Sequence, residues 1–370
     1  MVLICHGIII KTTGGIKMPV GIGTKTIMGA KKETTFRTRV AVTEKLPIYS
    51  EGIEFDFTDV MHEYLYGGAG SQGSTRVMES VTGSVEMTVP YTVKSGSNFV
   101  SASLPIALGM GASAFANGGN QITFTDDLNV FGTFAWDKGH HASSVWQADS
   151  CYVNSFTLAC SAGEAMTLSC DLVAYNLAID GTTNNVSGLA ALPTDAGDLV
   201  LFSDFDFRIG DQAGALGSSD SIGINSFSIT VNNNLTDSEQ STPDNASSHT
   251  DSKKTIQPVR NGFREVTLEI GLPRYSSDTF VDFLNNQTNL QATLLGTQPS
   301  SSEEFDIIFP NLKVESVSAP VGGSGAIAQS VTMRALVRNS ASDVTFADAS
   351  STDAGEMWIE TDDGRTASIL

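Results

Sequence analysis

The sequence is poor in the residues that staple, anchor or catalyse. Its 370 residues include four cysteines, Cys5, Cys151, Cys160 and Cys170. Four are too few to hold a chain of this size by disulfides, and no CxxC spacing marks a metal knuckle. Cys151, Cys160 and Cys170 fall in strand-like runs, where a free thiol acts as a small buried hydrophobe. Unpaired thiols suit assembly in a reducing cytoplasm. No apolar run reaches the roughly 18 residues of a helical membrane span. The opening MVLICHGIII is apolar but short, has no basic n-region and runs into Lys11, so it does not read as a signal peptide. Met18 and Met28 each precede a plausible start, which leaves residues 1–17 as a leader or a start-site artefact.

Positive charge is also scarce. Lys and Arg number 21 against 41 Asp and Glu, a net charge of −20, so the surface as a whole does not suit nucleic acid. The charge is uneven. Residues 1–39 hold seven basic residues and one acid and read as a basic N-terminal arm. Residues 341–370 hold seven acids and Arg365 and read as an acidic C-terminal tail, with an apolar Met357–Ile359 inside it.

A catalytic or metal-binding constellation is missing too. Adjacent histidines in a strand point to opposite faces, so His140–His141 near Asp137 and Asp149 reads as a solvated turn. Asp204 and Asp206 alternate with Phe205 and Phe207 and read as a polar strand face. Asp126–Asp127 reads as a turn. Gly67–Gly70 and Gly322–Gly325 lack the Lys and the strand-to-helix context of a phosphate loop, and Ser324 in GGSGA misses the nucleophile-elbow pattern. Asn185, Asn234, Asn245 and Asn286 satisfy the glycosylation sequon, which matters only in a secretory pathway. Trp136, Trp146 and Trp358 form no stacking stripe. The expectation is a protein that is not an enzyme, with no cofactor, no metal and no catalytic residues.

What the sequence does have is a module written twice. In Asn261–Leu284, Val266, Leu268 and Ile270 alternate with polar residues as in a half-buried strand. Pro273 stops the strand. Ser276, Ser277 and Asp278 can then cap a helix that shows Phe280, Val281, Phe283 and Leu284 on one face. Gly83–Leu104 repeats this with Val85, Met87 and Val89, then Pro90 and Tyr91, then Phe99, Val100 and Leu104, closed by Gly109. The prolines are 273 − 90 = 183 positions apart. Such spacing indicates two copies of one domain.

Further strands read at Glu51–Val60, Leu199–Ile209, Ile224–Val231, Leu290–Leu295, Phe305–Phe309, Leu312–Ser318 and Ile327–Val337. Gln121–Asp126 and Val130–Asp137 read as a hairpin, as do Val145–Ala159 and Ala165–Tyr175 about Ser161–Glu164. Tyr66–Arg76 and Asn232–Lys254 read as long polar loops. The expected architecture is mainly β: two tandem antiparallel sandwich or barrel domains, residues 40–176 and 199–340, each with one short flanking helix and joined by a linker, 177–198.

The chain resembles the tail tube (major tail) proteins of long-tailed bacteriophages. The likeness runs through GAKKETTFRT (Gly29–Thr38) and VNSFTLACSAGEAMTLSCDLVAYN (Val153–Asn176). It is strongest in LVLFSDFDFRIG, INSFSITVNNNL, FREVTLEIGLPRYSSDTF, IIFPNLKVESVSAPVGGSG and QSVTMRALV. It covers residues 28–340 as a pattern, not as a signature motif, and Arg37 stands where a Gly is common. The resemblance implies a structural virion protein, assembled in the bacterial cytoplasm, whose rings stack into a hollow tube for DNA ejection. One-domain members form hexameric rings, so two tandem domains imply a trimer with pseudo-sixfold symmetry, and a hexamer if the repeat is not real. An acidic lumen would let DNA pass without binding it, and other tail proteins would meet the tube ends. The basic arm of one ring would pair with the acidic tail or face of its neighbour. The competing reading is a surface-binding β protein (an adhesin, a receptor-binding tail component or an S-layer-like unit) that uses loops 67–76 and 232–254 as its rim. A hydrolase on a β scaffold comes third.

Overall fold

The computed structural model describes residues 23–62, 64, 73–95, 97–116, 119–139, 145–194, 197–212, 214–236, 239, 253–299, 303–337, 355–362, 365 and 367–370. Among these residues the chain forms twenty strands and three α-helices, the mainly β fold that the sequence indicates.

The first half contains β1 (Ile27–Lys32), β2 (Glu44–Leu46), β3 (Ile48–Glu51), β4 (Glu54–Met61), β5 (Ser74–Thr88), β6 (Val93–Ser95) and β7 (Asn98–Val100). Helix α1 (Ser103–Met110) follows, then β8 (Gly111–Ala116), β9 (Gly119–Phe124), β10 (Gly132–Asp137), β11 (Val145–Ser161), β12 (Thr167–Ala174), β13 (Asn176–Asp180) and helix α2 (Val186–Ala190). The second half contains β14 (Phe205–Asp211), β15 (Ser226–Asn232), β16 (Glu265–Leu272), helix α3 (Thr279–Asn286), β17 (Leu290–Thr297), β18 (Glu304–Ser318), β19 (Gln329–Ala335) and β20 (Trp358–Asp362).

The two halves share one pairing order, antiparallel throughout. In the first it runs β1–β10–β11–β12–β5, with β3 and β4 both on the far side of β5. In the second it runs β14–β17–β18–β19–β16–β15. Two long strands, β11 and β18, do double duty. The start of β11 pairs with β10 and β13, and from Tyr152 on it pairs with β12, around a bulge at Val153/Ser155. Likewise β18 pairs first with β17 and β20, then with β19, around a bulge at Val314/Ser316. An extra residue bends and twists a strand, which is how one strand serves two layers. Between the layers lies one continuous core that includes Phe134, Phe156, Leu168, Ile229, Leu268, Phe309 and Ile359.

Helix composition decides helix burial. SLPIALGM is apolar on all sides, and all eight residues of α1 are buried. It ends at Gly111, whose φ of +107° suits glycine and whose pro-Cβ direction meets Thr125 Oγ1 at 2.1 Å. Helix α3 is amphipathic and buries only Phe280 fully.

Several expectations need correction. Residues 1–22 lie outside the described residues, but Ile27–Lys32 is no arm. Met28 and Ala30 are fully buried, and β1 pairs with β10 and β2. The acidic tail is not free either. Met357, Trp358 and Ile359 are fully buried, and β20 lies between β18 and β9. Behind it, Arg365 makes a bidentate pair with Glu44 at 2.9 and 3.0 Å. The segment 177–198 is no linker, since β13 pairs with β11 and Leu189 of α2 is buried. Strand β9 pairs with β8 and β20, not with β10, so the turn at Asp127–Asn129 closes no hairpin. Phe99 and Val100 belong to β7, and Gly109 lies inside α1, packed so that a Cβ would meet Phe156 at 2.8 Å. Pro310 does not break β18 into two strands. Residues 199–204 carry two isolated bridges, at Leu199 and Leu201, and a 3-10 turn (Phe202–Asp204) before β14 begins. The β11–β12 hairpin stands as expected, closed by Glu164 N–H donating to Ser161 O.

Candidate assembly edges

The residues weighed as candidate sites are placed as follows. Asp204 accepts from Tyr91 OH at 3.2 Å and from Leu201 N–H at 3.0 Å. Asp206 pairs with Arg208 at 2.7 Å and accepts from Ser221 at 2.5 Å. Asn185 caps α2 by accepting from Gly188 N–H at 2.8 Å, Asn234 donates to Phe263 O at 2.5 Å, and Asn286 ends α3. Trp136 and Trp146 stand 6.1 Å apart, tilted, and Trp358 is core. Asp126–Asp127 lies in the bend after β9, and Gly322–Gly325 in an exposed loop. His140–His141, Gly67–Gly70 and Asn245 lie outside the described residues, as do most of loops 67–76 and 232–254. No group of three His, Cys, Asp or Glu gathers among the described residues.

Cys151, Cys160 and Cys170 are free and buried. Burial pushes the Cys160 thiol up to about 11, and it raises Cys151 and Cys170 as well. Protonated, enclosed thiols are inert. Glu33 is buried where β1 ends and accepts from Ser150 N–H and Oγ, both at 2.8 Å, and from Thr133 Oγ1 at 2.6 Å. Burial raises its carboxyl above the ordinary range despite these bonds.

What remains is the sheet itself. The second part of β11 pairs on its free side with β15, from Ser155↔Asn232 to Ser161↔Ser226. That ladder joins the halves into one sheet ordered β3/β4–β5–β12–β11–β15–β16–β19–β18. Its inner face is apolar: Phe156, Leu158, Val231, Ile229, Leu268 and Met333 are all buried. Its outer face is polar. One register row runs Ser50, Glu86, Ser169, Thr157, Thr230, Thr267, Arg334, Lys313, and none of the eight is buried. Carboxylates from neighbouring rows, Asp171, Glu265 and Glu269, share this face. Arg334 is engaged by Glu315 at 2.6 Å and Glu265 at 3.4 Å.

The β11–β15 seam is reinforced at its Asn232 end. Asn233 Nδ2 donates to Gly109 O at 2.8 Å and Val153 O at 3.1 Å, and Asn233 N–H to Asn154 O. Leu235 packs with Leu128, Phe131 and Tyr152. Arg264 pairs with Glu356, and β20 reaches back to β9.

The sheet's outermost strands are open. Among the described residues, no strand pairs with the outer edge of Ile48–Glu51 or with the free side of Lys313–Ser318. These are the counterparts of the two strands that form the internal seam. A family model described as phage tail tube protein matches residues 23–335. The chain belongs to the phage tail tube family. No curated protein matches it. A tail tube protein is a structural component of the virion, and its subunits associate and stack into a tube. Among the described residues, no helix is long and apolar enough to cross a membrane. The open edges are the candidate assembly residues that sequence reasoning missed. Their signal was the repeat itself, which predicts for Ser50 and Ser318 the neighbours that Ser228 and Ala159 already have.

Proposed function

We propose that this tail tube protein closes into a ring of three chains, each supplying two copies of one domain. The sequence places these copies at 40–176 and 199–340. The strand pairings favour adding β1 and β13 to the first and β20 to the second. The carrying observation is that one seam, β11–β15, lies inside the chain while both of its component edges recur open at the ends of the sheet. Joining Lys313–Ser318 of one chain to Ile48–Glu51 of the next repeats the seam, head to tail, and only ring closure leaves no edge exposed. The polar face then lines the bore. Its carboxylates outnumber Arg334 and Lys313, and the chain as a whole carries −20. Such a lining repels phosphate, so DNA slides during ejection without being held. Assembly takes place in the host cytoplasm, where the buried thiols stay reduced.

The register gives a direct test. Ser228 faces Ala159 across the internal seam. The counterpart of Ala159 is Ser318, and that of Ser228 is Ser50, which faces Glu86 as Ser228 faces Glu269. Both serines are exposed. Ser50→Cys with Ser318→Cys, in a Cys5→Ser background, is expected to give on oxidation a covalent ladder that stops at three chains. A ladder that stops at six would replace the trimer with a larger ring. Hollow rods by microscopy without any chain-to-chain bond would overturn the seam.

A further inference from the structure

In a sheet that closes side by side, the hydrogen bonds run around the ring and each strand runs, with some tilt, from one rim to the other. Strand β16 therefore has one end at each rim. Its start, Glu265, lies level with Asn232 and Ser155, and its end, Gly271–Leu272, with Ser226, Ser161 and Gln329. Rings that stack in one orientation bring the first of these rims against the second rim of the next ring.

At the rim where β16 ends, Ile209, Ile222, Leu272, Phe280, Phe283 and Gln329 line a groove of about 390 Å³ beside α3. Ile209, Ile222, Leu272 and Phe283 are only half-buried there. The backbone next to the groove is spent: Leu272 pairs with Gln329 in the β16–β19 ladder, and Tyr275 N–H donates to Ile327 O at 2.7 Å. The groove therefore suits a side chain and not an added strand. Gln329 is 4% exposed, and its Nε2 has no hydrogen-bond partner among the described residues. An occupant that brings an acceptor relieves that cost.

At the rim where β16 starts, Phe263 is 92% exposed. Its backbone is tied down on both sides. Asn261 N–H donates to Asn234 O at 2.7 Å, Asn234 Nδ2 to Phe263 O at 2.5 Å, and Arg264 pairs with Glu356. Gly262 has a φ of +135°, which suits glycine. An aromatic ring on so fixed a turn loses little freedom when it docks. The first half has neither feature at the matching places. The counterpart of Phe263 is Ser80, 263 − 183 = 80, which is buried and faces Asp56. The counterpart of the groove is covered by Val200, which is fully buried, donates to Val89 O at 3.0 Å and accepts from Met166 N–H at 2.8 Å. Ring and groove thus occur together, at opposite ends of one strand.

We propose that Phe263 of one ring docks in the groove beside α3 of the ring stacked on it, its phenyl group against Ile222, Leu272 and Phe283. The occupant is a second copy of this chain, an aromatic anchor in an apolar slot. The neighbouring Gly262 carbonyl is an acceptor of the kind that Gln329 Nε2 lacks. The placing of the two rims rests on the ring proposed above.

Phe263→Ala is expected to abolish tubes by negative-stain microscopy while the Ser50/Ser318 ladder keeps its length, which also checks the fold. Gly223 lines the groove, and a Cβ there meets nothing within 4 Å. Gly223→Phe fills the groove from its own chain and is expected to act as Phe263→Ala does. Asn261 and Ser277 are exposed beside the ring and the groove. Asn261→Cys with Ser277→Cys, in the Cys5→Ser background, keeps Phe263 and is expected to give on oxidation a ladder that runs past the last rung of the Ser50/Ser318 ladder, because it joins ring to ring. Tubes of normal length from Phe263→Ala or from Gly223→Phe would overturn the docking. So would tubes in which the Asn261/Ser277 pair forms no bond, or a ladder that stops where the Ser50/Ser318 ladder stops. The long ladder without the Ser50/Ser318 one would support the docking and overturn the ring reading alone.

Discussion

Helices α1 and α3 follow the same strand–Pro turn, yet one is sealed and the other half open. The β8–β9 hairpin, inserted directly after α1, provides packing that the second half lacks; there, a short loop leads from α3 straight to β17. Composition follows cover: α1 has no charged residue, whereas α3 carries Asp282 and two asparagines on its outward side. Strand order is thus what the two halves share, and helix burial follows what each half meets. The sealed copy meets its own chain, and the open one presents its groove outward.

The sharpest way to break this comparison is at Gly83. Its counterpart is Val266, a buried strand residue. A Cβ on Gly83 would sit 2.3 Å from Gly52 O and 2.4 Å from Ile53 Cα, where β3 gives way to β4. Backbone cannot yield as a side chain does, so Gly83→Val is expected to cost more than about 3 kcal/mol and to strip soluble protein from expression. Val266→Ala, at the matching place, removes only two methyl groups and should leave a folded chain in urea titration. Equal tolerance at both positions would mean that the copies do not differ there.

The helices give the next largest difference. Ile106→Ala in α1 deletes a fully buried side chain and should cost about 2–5 kcal/mol. Phe283→Ala in α3 removes a half-buried ring and should cost clearly less in the isolated chain, measured by urea midpoint at constant slope.

The smallest effect is expected at Glu33, whose counterpart is Gln212, with Nε2 donating to Pro310 O at 2.9 Å. Glu33 holds its proton more tightly folded than unfolded. Its stabilising contribution is therefore present at low pH and declines as pH rises from the ordinary carboxylate range through the raised value. Glu33→Gln should abolish that decline and change stability at neutral pH by no more than about 1 kcal/mol. Urea titrations from about pH 4 to pH 7 would check it, and an unchanged slope would show that another group is responsible.

Much of the fold was legible because local pattern and long-range pairing agree. Val85, Met87, Leu268 and Ile270 alternate cleanly, and the proline offset matches the register of β5 with β12 and of β16 with β19. The buried cysteines were legible for the same reason. The errors come where pairing at long range decides. In IMGAKK only Met28 and Ala30 mark a buried strand, and lysines made it look like an arm. In the tail, Met357–Ile359 was a true signal outvoted by the surrounding acids. Asp127–Asn129 has good turn chemistry, but β9 finds its partner in β20, more than two hundred residues away. For the assembly edges, the residue types carried little, since Ser50 and Ser318 resemble any surface serine. Only the repeat, followed residue by residue, distinguishes them.

Because β11 and β18 each belong to both layers, those layers are riveted by covalent backbone and not merely stuck together by side chains. Shear between the two layers would have to stretch peptide bonds or melt a ladder, so the layers of one subunit move together. A tube built from such subunits is expected to flex at the contacts between them and not within them.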